Sequence, residues 1–296
     1  MSTQTPKLLA RKPEITKQGH SKGLIFGPSG VGKTWFSLAF PSVYYIDTEG
    51  GADLAHYQER LAASGGAYLG PQDGSLDFKT VIDQFKALAS QKHEFKTIVI
   101  DSITKLFQTT IANEAEKLGD KDAFGASKKP AISFMRQLVN WTAKADINVW
   151  FIAHEVTEWG LDASTGQRAE IGKIADIWDK LIYELDLTLQ AQKRGKSRIA
   201  IIRKSRLTGF PEGDSLPLEY ADFSERYGKD FIEAEVVPLT FATTEEVAEV
   251  RRLLEIVKVT PSEIEKGFTK AQVDSWEEMT SEQINKWISY LKKKVS

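Results

Sequence analysis

Eight residues constrain this chain more than any others. Gly27-Pro28-Ser29-Gly30-Val31-Gly32-Lys33-Thr34 fills every fixed position of the pattern G-x-x-x-x-G-K-[ST]. Gly23-Leu24-Ile25-Phe26 before it reads as a short buried strand, and Trp35 to Phe40 after it as an apolar helix that stops at Pro41. In that setting the glycines let successive backbone N–H groups turn inward and make an anion cradle at a helix start. The segment from Gly27 to Trp35 is therefore the candidate phosphate-contacting stretch. Lys33 can reach β- and γ-phosphates, and the Thr34 hydroxyl can ligate Mg²⁺. A glycine turn without a ligand is the alternative, and the filled positions in a strand–loop–helix context weigh against it.

Composition narrows the class. The chain has 296 residues, 41% apolar and 27% charged, which suits one large globular domain and a small one. It has no cysteine, so disulfides and Cys-based zinc sites are excluded. No apolar run approaches a membrane span and the N-terminus lacks a signal-peptide core, so a cytoplasmic protein with no membrane partner is expected. With a net charge of −2, a nucleic-acid partner would have to be held by a local basic patch.

Residues 1–20 are polar, mildly basic through Lys7, Arg11, Lys12 and Lys17, and read as a tail or an arm. Val43 to Ile46 is a second buried strand that delivers Asp47-Thr48-Glu49 to its C-terminal end, where open α/β sheets bind ligands. Glu49 there can polarise an attacking water; capping the helix that begins near Ala52 is the other reading. The stretch 61–76 is glycine-rich and reads as a loop, and 77–91 as a helix covering the sheet. Thr97-Ile98-Val99-Ile100 ending in Asp101 has the form of a strand whose carboxylate holds Mg²⁺. A helix over 103–118, a polar stretch over 119–130 and a helix over 131–145 lead to a fourth strand, Asn148 to Ile152, ending at His154. His154 can report on a γ-phosphate, cap the strand or meet Asp101. Residues 156–172 read as a long mobile loop, 174–183 as a helix, and 185–189 and 198–202 as strands. Between Ala191 and Arg206 stand seven Lys or Arg and no acid, a solvated hairpin or a charged surface.

Past Thr243 the texture changes. Thr243 to Glu246, Thr260 to Glu263 and Thr280 to Gln283 read as capping boxes of a small helical module. The expected division is a tail over 1–20, a core over 21–240 and a helical domain over 241–296.

Gly27 to Thr34, Tyr45-Ile46-Asp47-Thr48-Glu49-Gly50 and Ile98-Val99-Ile100-Asp101-Ser102 together resemble the ATPase core of RecA-like recombinases, and most closely the phage-encoded RecA-like ATP-binding proteins that include single-strand annealing proteins. The resemblance implies an α/β RecA-like P-loop NTPase with a mostly parallel central sheet flanked by helices, plus the small helical domain. It implies ATP and Mg²⁺ as cofactors, with Glu49 as the catalytic carboxylate and Asp101 and Thr34 at the metal. It also implies single-stranded DNA as partner, a homo-oligomer that is a ring or a filament, a single-stranded-DNA-binding protein as a further partner, and the host cytoplasm if the chain is phage-encoded. The family carries Gln where this chain has His154. The DNA loops would fall near 119–130 and 155–172, so Lys128, Lys129, Arg168 and Lys173 are candidate DNA contacts. In such recombinases basic residues after a late strand reach a neighbour's γ-phosphate, which makes Arg203 and Arg206 candidate catalytic groups in trans. Their rivals are DNA contact or simple solvation. A helicase-like motor, an ATP-controlled scaffold and, less favoured, a small-molecule kinase stay as alternative functions.

Overall fold

The computed structural model describes residues 18–122, 125–162, 164–271, 273 and 275–295, so the basic positions Lys7 to Lys17 of the expected tail lie outside the described residues. The strands are β1 (Lys22–Phe26), β2 (Val43–Asp47), β3 (Ala67–Leu69), β4 (Thr97–Asp101), β5 (Asn148–Ala153), β6 (Glu155–Leu161), β7 (Arg168–Ala175), β8 (Leu187–Arg194), β9 (Ser197–Ser205) and β10 (Ser215–Pro217). The helices are α1 (Lys33–Ser37), α2 (Ala55–Ala63), α3 (Phe78–Ser90), α4 (Ile103–Leu118), α5 (Lys128–Lys144), α6 (Lys180–Glu184), α7 (Tyr220–Tyr227), α8 (Lys229–Ile232), α9 (Thr244–Ile256), α10 (Pro261–Ala271) and α11 (Ser281–Val295).

Eight strands form one sheet in the order β10-β9-β8-β1-β5-β4-β2-β3. From β8 to β3 every pairing is parallel; β9 and β10 add an antiparallel edge. The central strands read as unbroken apolar runs because both faces are covered. Alternate side chains divide between the faces. Leu24, Phe26, Ile98, Ile100, Val149 and Phe151 pack against α3, α4 and α5. Ile25, Tyr45, Val99, Trp150 and Ile152 meet the other layer, which includes α1 and α7. Each such side chain contributes about 1.5–3 kcal/mol on burial. In the second layer Phe36 of α1 sits edge-on to Trp150 at 5.7 Å and to Phe223 at 5.8 Å. These contacts anchor the short helix, and with it the glycine loop, to the sheet.

Several expectations need correction. The stretch 61–76 is not all loop: α2 runs through Ala63, and Ala67–Leu69 is short enough to add an edge strand beside Tyr44–Ile46 despite its flanking glycines. The stretch 156–172 is a β-hairpin. Glu155 pairs with Ala175 and Leu161 with Arg168, and the turn is closed by Asp162, whose Oδ1 accepts from the backbone N–H of Ser164 (2.9 Å) and Thr165 (2.8 Å). The helix expected over 174–183 shrinks to Lys180–Glu184, because Ile174 and Ala175 are consumed by β7. Lys128 and Lys129 stand in the first turn of α5 rather than in a loop.

Helices α9 to α11 build a third apolar cluster around Val250, Leu253, Met279, Ile284 and Leu291. All the expected capping boxes form: the Thr243–Glu246, Thr260–Glu263 and Thr280–Gln283 pairs each exchange side-chain to backbone hydrogen bonds. Each cap is worth about 1 kcal/mol. Lys86 of α3 reaches Glu278 at 2.5 Å, tying this cluster to the sheet's cover.

Candidate functional site

Parallel pairing brings the C-terminal ends of β1, β2, β4 and β5 to one edge, and each end carries a singled-out residue. They line a cleft of ≈ 760 Å³ with the whole loop from Gly27 to Trp35, together with Asp47, Glu49, Asp101, His154, Glu155 and Arg198. Gly27 is required by space: a Cβ there would stand 2.5 Å from the Ala191 carbonyl oxygen of β8. Gly32 has φ 109°, a conformation that side chains disfavour.

Lys33 folds back onto its own loop, its Nζ donating to the Gly27 carbonyl at 2.7 Å and to the Pro28 carbonyl at 2.9 Å. Burial lowers its pKa, opposed by the nearby carboxylates of Asp101, Glu155 and Glu49. A phosphate oxygen would replace those carbonyls as acceptor.

Thr34 Oγ1 donates to Asp101 Oδ2 at 3.1 Å, and the Tyr45 hydroxyl donates to the same oxygen at 2.5 Å. Burial pushes the Asp101 carboxyl up to about 6, with the Tyr45 hydrogen bond pulling down and Asp47 and Glu49 adding to the rise. Asp101 and Thr34 form a pair of hard oxygen donors beside the phosphate loop. That set fits Mg²⁺, which binds through one or two carboxylates and completes its shell with phosphate and water.

The two acidic residues after β2 divide their work. Asp47 is 1% exposed and spends both oxygens on structure: Oδ1 accepts from the N–H of Glu49 (3.0 Å) and Gly50 (2.8 Å), Oδ2 from the N–H of Ala52 (2.7 Å) and the Tyr68 hydroxyl (3.0 Å). The helix that follows starts at Ala55, later than expected, with Leu54 as N-cap and no side-chain cap, so neither acid caps it; Asp47 ties down the turn over 49–52. Glu49 instead turns into the cleft, where Oε1 accepts from Ser102 Oγ at 2.5 Å and meets His154 Nε2 at 2.9 Å. His154 thus touches Glu49 rather than Asp101. Its own backbone N–H is fixed by Thr104 Oγ1 at 2.9 Å.

Other expected residues lie elsewhere. β9 runs antiparallel to β8, so it starts at the phosphate-loop edge and ends at the opposite one. Arg203 and Arg206 accordingly stand away from this chain's own cleft, and the strand does not deliver them to it. Arg206 is held by the carbonyls of Glu184 and Tyr183, whereas the Arg203 guanidinium has no hydrogen bond or ion pair among the described residues. The strand delivers Arg198 to the cleft instead. Of the candidate DNA contacts, Arg168 and Lys173 lie on β7, and Lys128 and Lys129 on α5. Lys173 pairs with Glu170 at 2.6 Å, while the Arg168 guanidinium lies 5.5 Å from the Trp159 ring.

The cleft also has an aromatic wall that residue order alone does not disclose. Trp35, His56 and Tyr57 cluster with ring centroids 4.1 to 6.5 Å apart, and the Arg60 guanidinium covers Trp35 at 4.0 Å. Such a wall offers a planar base a stacking surface. Its only sequence signal is a His-Tyr pair at a helix start shortly after Glu49.

The family model that matches describes an AAA domain and spans residues 20–209. Among solved structures, a RadB recombinase is similar at 22% identity, covering 67% of this chain and 87% of that one, with a TM-score of 0.41. An ATPase from the type III secretion system of pathogenic bacteria is similar at 15% identity, covering 94% and 82%, with a TM-score of 0.40. No curated protein matches the chain. No helix among the described residues is long and apolar enough to cross a membrane. With its model matched over well more than half of the length, and every phosphate-loop position in place at the edge of a mostly parallel sheet, the chain belongs to the AAA-domain family and is a P-loop ATPase of α/β fold.

Proposed function

We propose that this protein is a Mg²⁺-dependent ATPase that acts on single-stranded DNA in recombination or strand annealing. We place its work in the cytoplasm (the host's, if it is phage-encoded), as a ring or filament of identical subunits, alongside a single-stranded-DNA-binding protein. Residues 21–240 form the ATPase core in this reading, and 241–296 a small helical domain.

One observation carries the DNA reading. The carboxylate placed to activate water is joined to an exposed hairpin through a single residue. His154 holds Glu49 at 2.9 Å, and β6 begins at the next residue. That hairpin displays Trp159, 56% exposed and stacked by Arg168, with Ile171 at 54%. Exposed aromatic and guanidinium surfaces bind bases by stacking without sequence preference. The hairpin is not itself basic, since Glu155, Glu158, Asp162 and Glu170 outnumber Arg168 and Lys173, so stacking rather than phosphate contact supports the reading.

In the chemical step Lys33 leaves its loop carbonyls for phosphate oxygens, and Glu49 orients a water and takes up its proton. His154 steadies Glu49 and moves with the hairpin when DNA binds. Asp101 and Thr34 would hold Mg²⁺, which when bound neutralises developing phosphate charge.

The test is ATP turnover by the full chain with and without single-stranded DNA, followed by an unwinding assay. DNA should raise turnover, with no directional unwinding. Unchanged turnover would remove DNA as the partner, and directional unwinding would make the protein a helicase-like motor.

A further inference from the structure

We propose that Arg198 is a second cationic ligand of the nucleotide's phosphates, supplied in cis from the start of β9; the inference rests on the nucleotide reading of the cleft.

Three features single it out from the basic block to which it belongs. First, it lines the same cleft as the phosphate loop, whereas Lys193, Arg194 and Lys196 at the hairpin tip, exposed as Arg198 also is, do not. Second, its aliphatic arm runs against the loop: Arg198 Cδ lies 3.2 Å, and Leu218 Cδ2 3.7 Å, from where a Cβ on Gly32 would stand. Gly32 thus leaves room for the arm, and Leu218 closes the other side. Third, the backbone beneath is rigid. Arg198 pairs with Lys193 across the hairpin, and its carbonyl accepts from the Leu218 N–H at 3.0 Å. An arginine held at its backbone and arm has lost part of the rotamer entropy that binding would otherwise cost.

The guanidinium so positioned has no hydrogen bond or ion pair among the described residues. The cleft around it is acidic: Asp47, Glu49, Asp101 and Glu155 stand against Lys33. A polyphosphate brings more negative charge into this space, and Arg198 is a cation there with all its donors unspent. Its place along the chain of phosphates follows from its neighbours. Loop N–H groups cradle the α- and β-phosphates in such motifs. Arg198 lies beside Gly32 in that loop, whereas Glu49 and His154 form a separate pair at the ends of β2 and β5. Arg198 therefore contacts phosphates that ATP and ADP share and strengthens both complexes. This distinguishes it from a group that acts only on the γ-phosphate.

The experiment measures ADP and ATP affinity of the full chain by calorimetric titration. Arg198→Met keeps the aliphatic arm against Gly32 and removes the charge. It should weaken ADP and ATP binding alike, roughly tenfold to a hundredfold, the usual loss for a charge-assisted hydrogen bond. Arg198→Lys should recover part of that loss, and Arg194→Met, at the tip, should lose none. Arg198→Gln gives the same comparison should the methionine variant fail to fold. Equal ADP affinity in wild type and the Arg198 variants overturns the inference, as does an equal loss in Arg194→Met, which would reduce the effect to a diffuse field. A wild-type chain that binds neither nucleotide overturns the reading of the cleft itself, a result distinct from either.

Discussion

Asp101→Asn should make the ligand-free protein more stable at pH 7 while removing Mg²⁺-dependent turnover. Burial beside Asp47 and Glu49 holds this carboxyl at about 6 against 3.8 for a free aspartate. A carboxyl whose pKa is raised on folding gives stability that is full below the unfolded value and is lost as pH rises through the folded one. Keeping Asp101 ionised in the fold therefore costs about 3 kcal/mol at pH 7, roughly half of that at pH 5 and little at pH 4. Asparagine carries no such cost. The hydroxyls of Thr34 and Tyr45 can still donate to its amide oxygen, while its new NH₂ group must find an acceptor, a loss of about 1 kcal/mol. The net gain should be about 2 kcal/mol at pH 7, vanish between pH 4 and pH 5, and turn into a small loss at pH 4. Urea unfolding of both proteins at pH 7, 5 and 4 measures it. Adding Mg²⁺ and ATP should then raise the wild-type midpoint and leave that of the variant almost unmoved. A variant less stable than wild type at pH 7, or a difference independent of pH, would refute the argument that burial strain on a metal-binding carboxylate sets this balance.

Lys33→Ala should lose nucleotide binding, whereas Glu49→Gln should keep it and lose hydrolysis; equal loss of affinity in both would show that Glu49 is not the water-activating group. Trp159→Ala in the hairpin should weaken single-stranded DNA binding by about 1–3 kcal/mol in a fluorescence titration, with little change in salt dependence. Neutralising Lys128, Lys129, Arg168 and Lys173 should lower the salt slope by about 0.7 for each DNA phosphate they had neutralised, and an unchanged slope would move the DNA path away from them. For the trans arginine, the direction of β9 leaves only one arrangement open. Arg203 lies at the sheet edge opposite the P-loop, so it can meet only the cleft of a neighbour stacked head to tail. Mixing Lys33→Ala with Arg203→Ala protein, each inactive alone, should restore some turnover; no recovery in a co-assembled mixture would exclude it.

What could be read from residue order alone is what depends on near neighbours. The phosphate loop is a strand, a turn and a helix start within a dozen residues, so composition and spacing disclose it. Thr243–Glu246 and its two counterparts are hydrogen bonds across three residues, and all form as expected. The apolar run ending at Asp101 declares a strand buried on both faces. The stretch 156–172, expected as a loop, is a hairpin because Glu155 to Leu161 finds its partner in Arg168 to Ala175, a pairing between segments. Pairing partners decided the rest. Nothing near Tyr45 in the chain says that its hydroxyl lands on Asp101, nor that His154 meets Glu49 instead. The sharpest case is β9. Its basic residues look equivalent in the bare sequence, but antiparallel pairing sends Arg198 to the phosphate loop and Arg203 to the far edge. The two-residue turn at Gly195 and Lys196 already makes β9 antiparallel to β8; what residue order does not carry is that β8 pairs parallel beside β1, which puts the start of β9 at the phosphate loop.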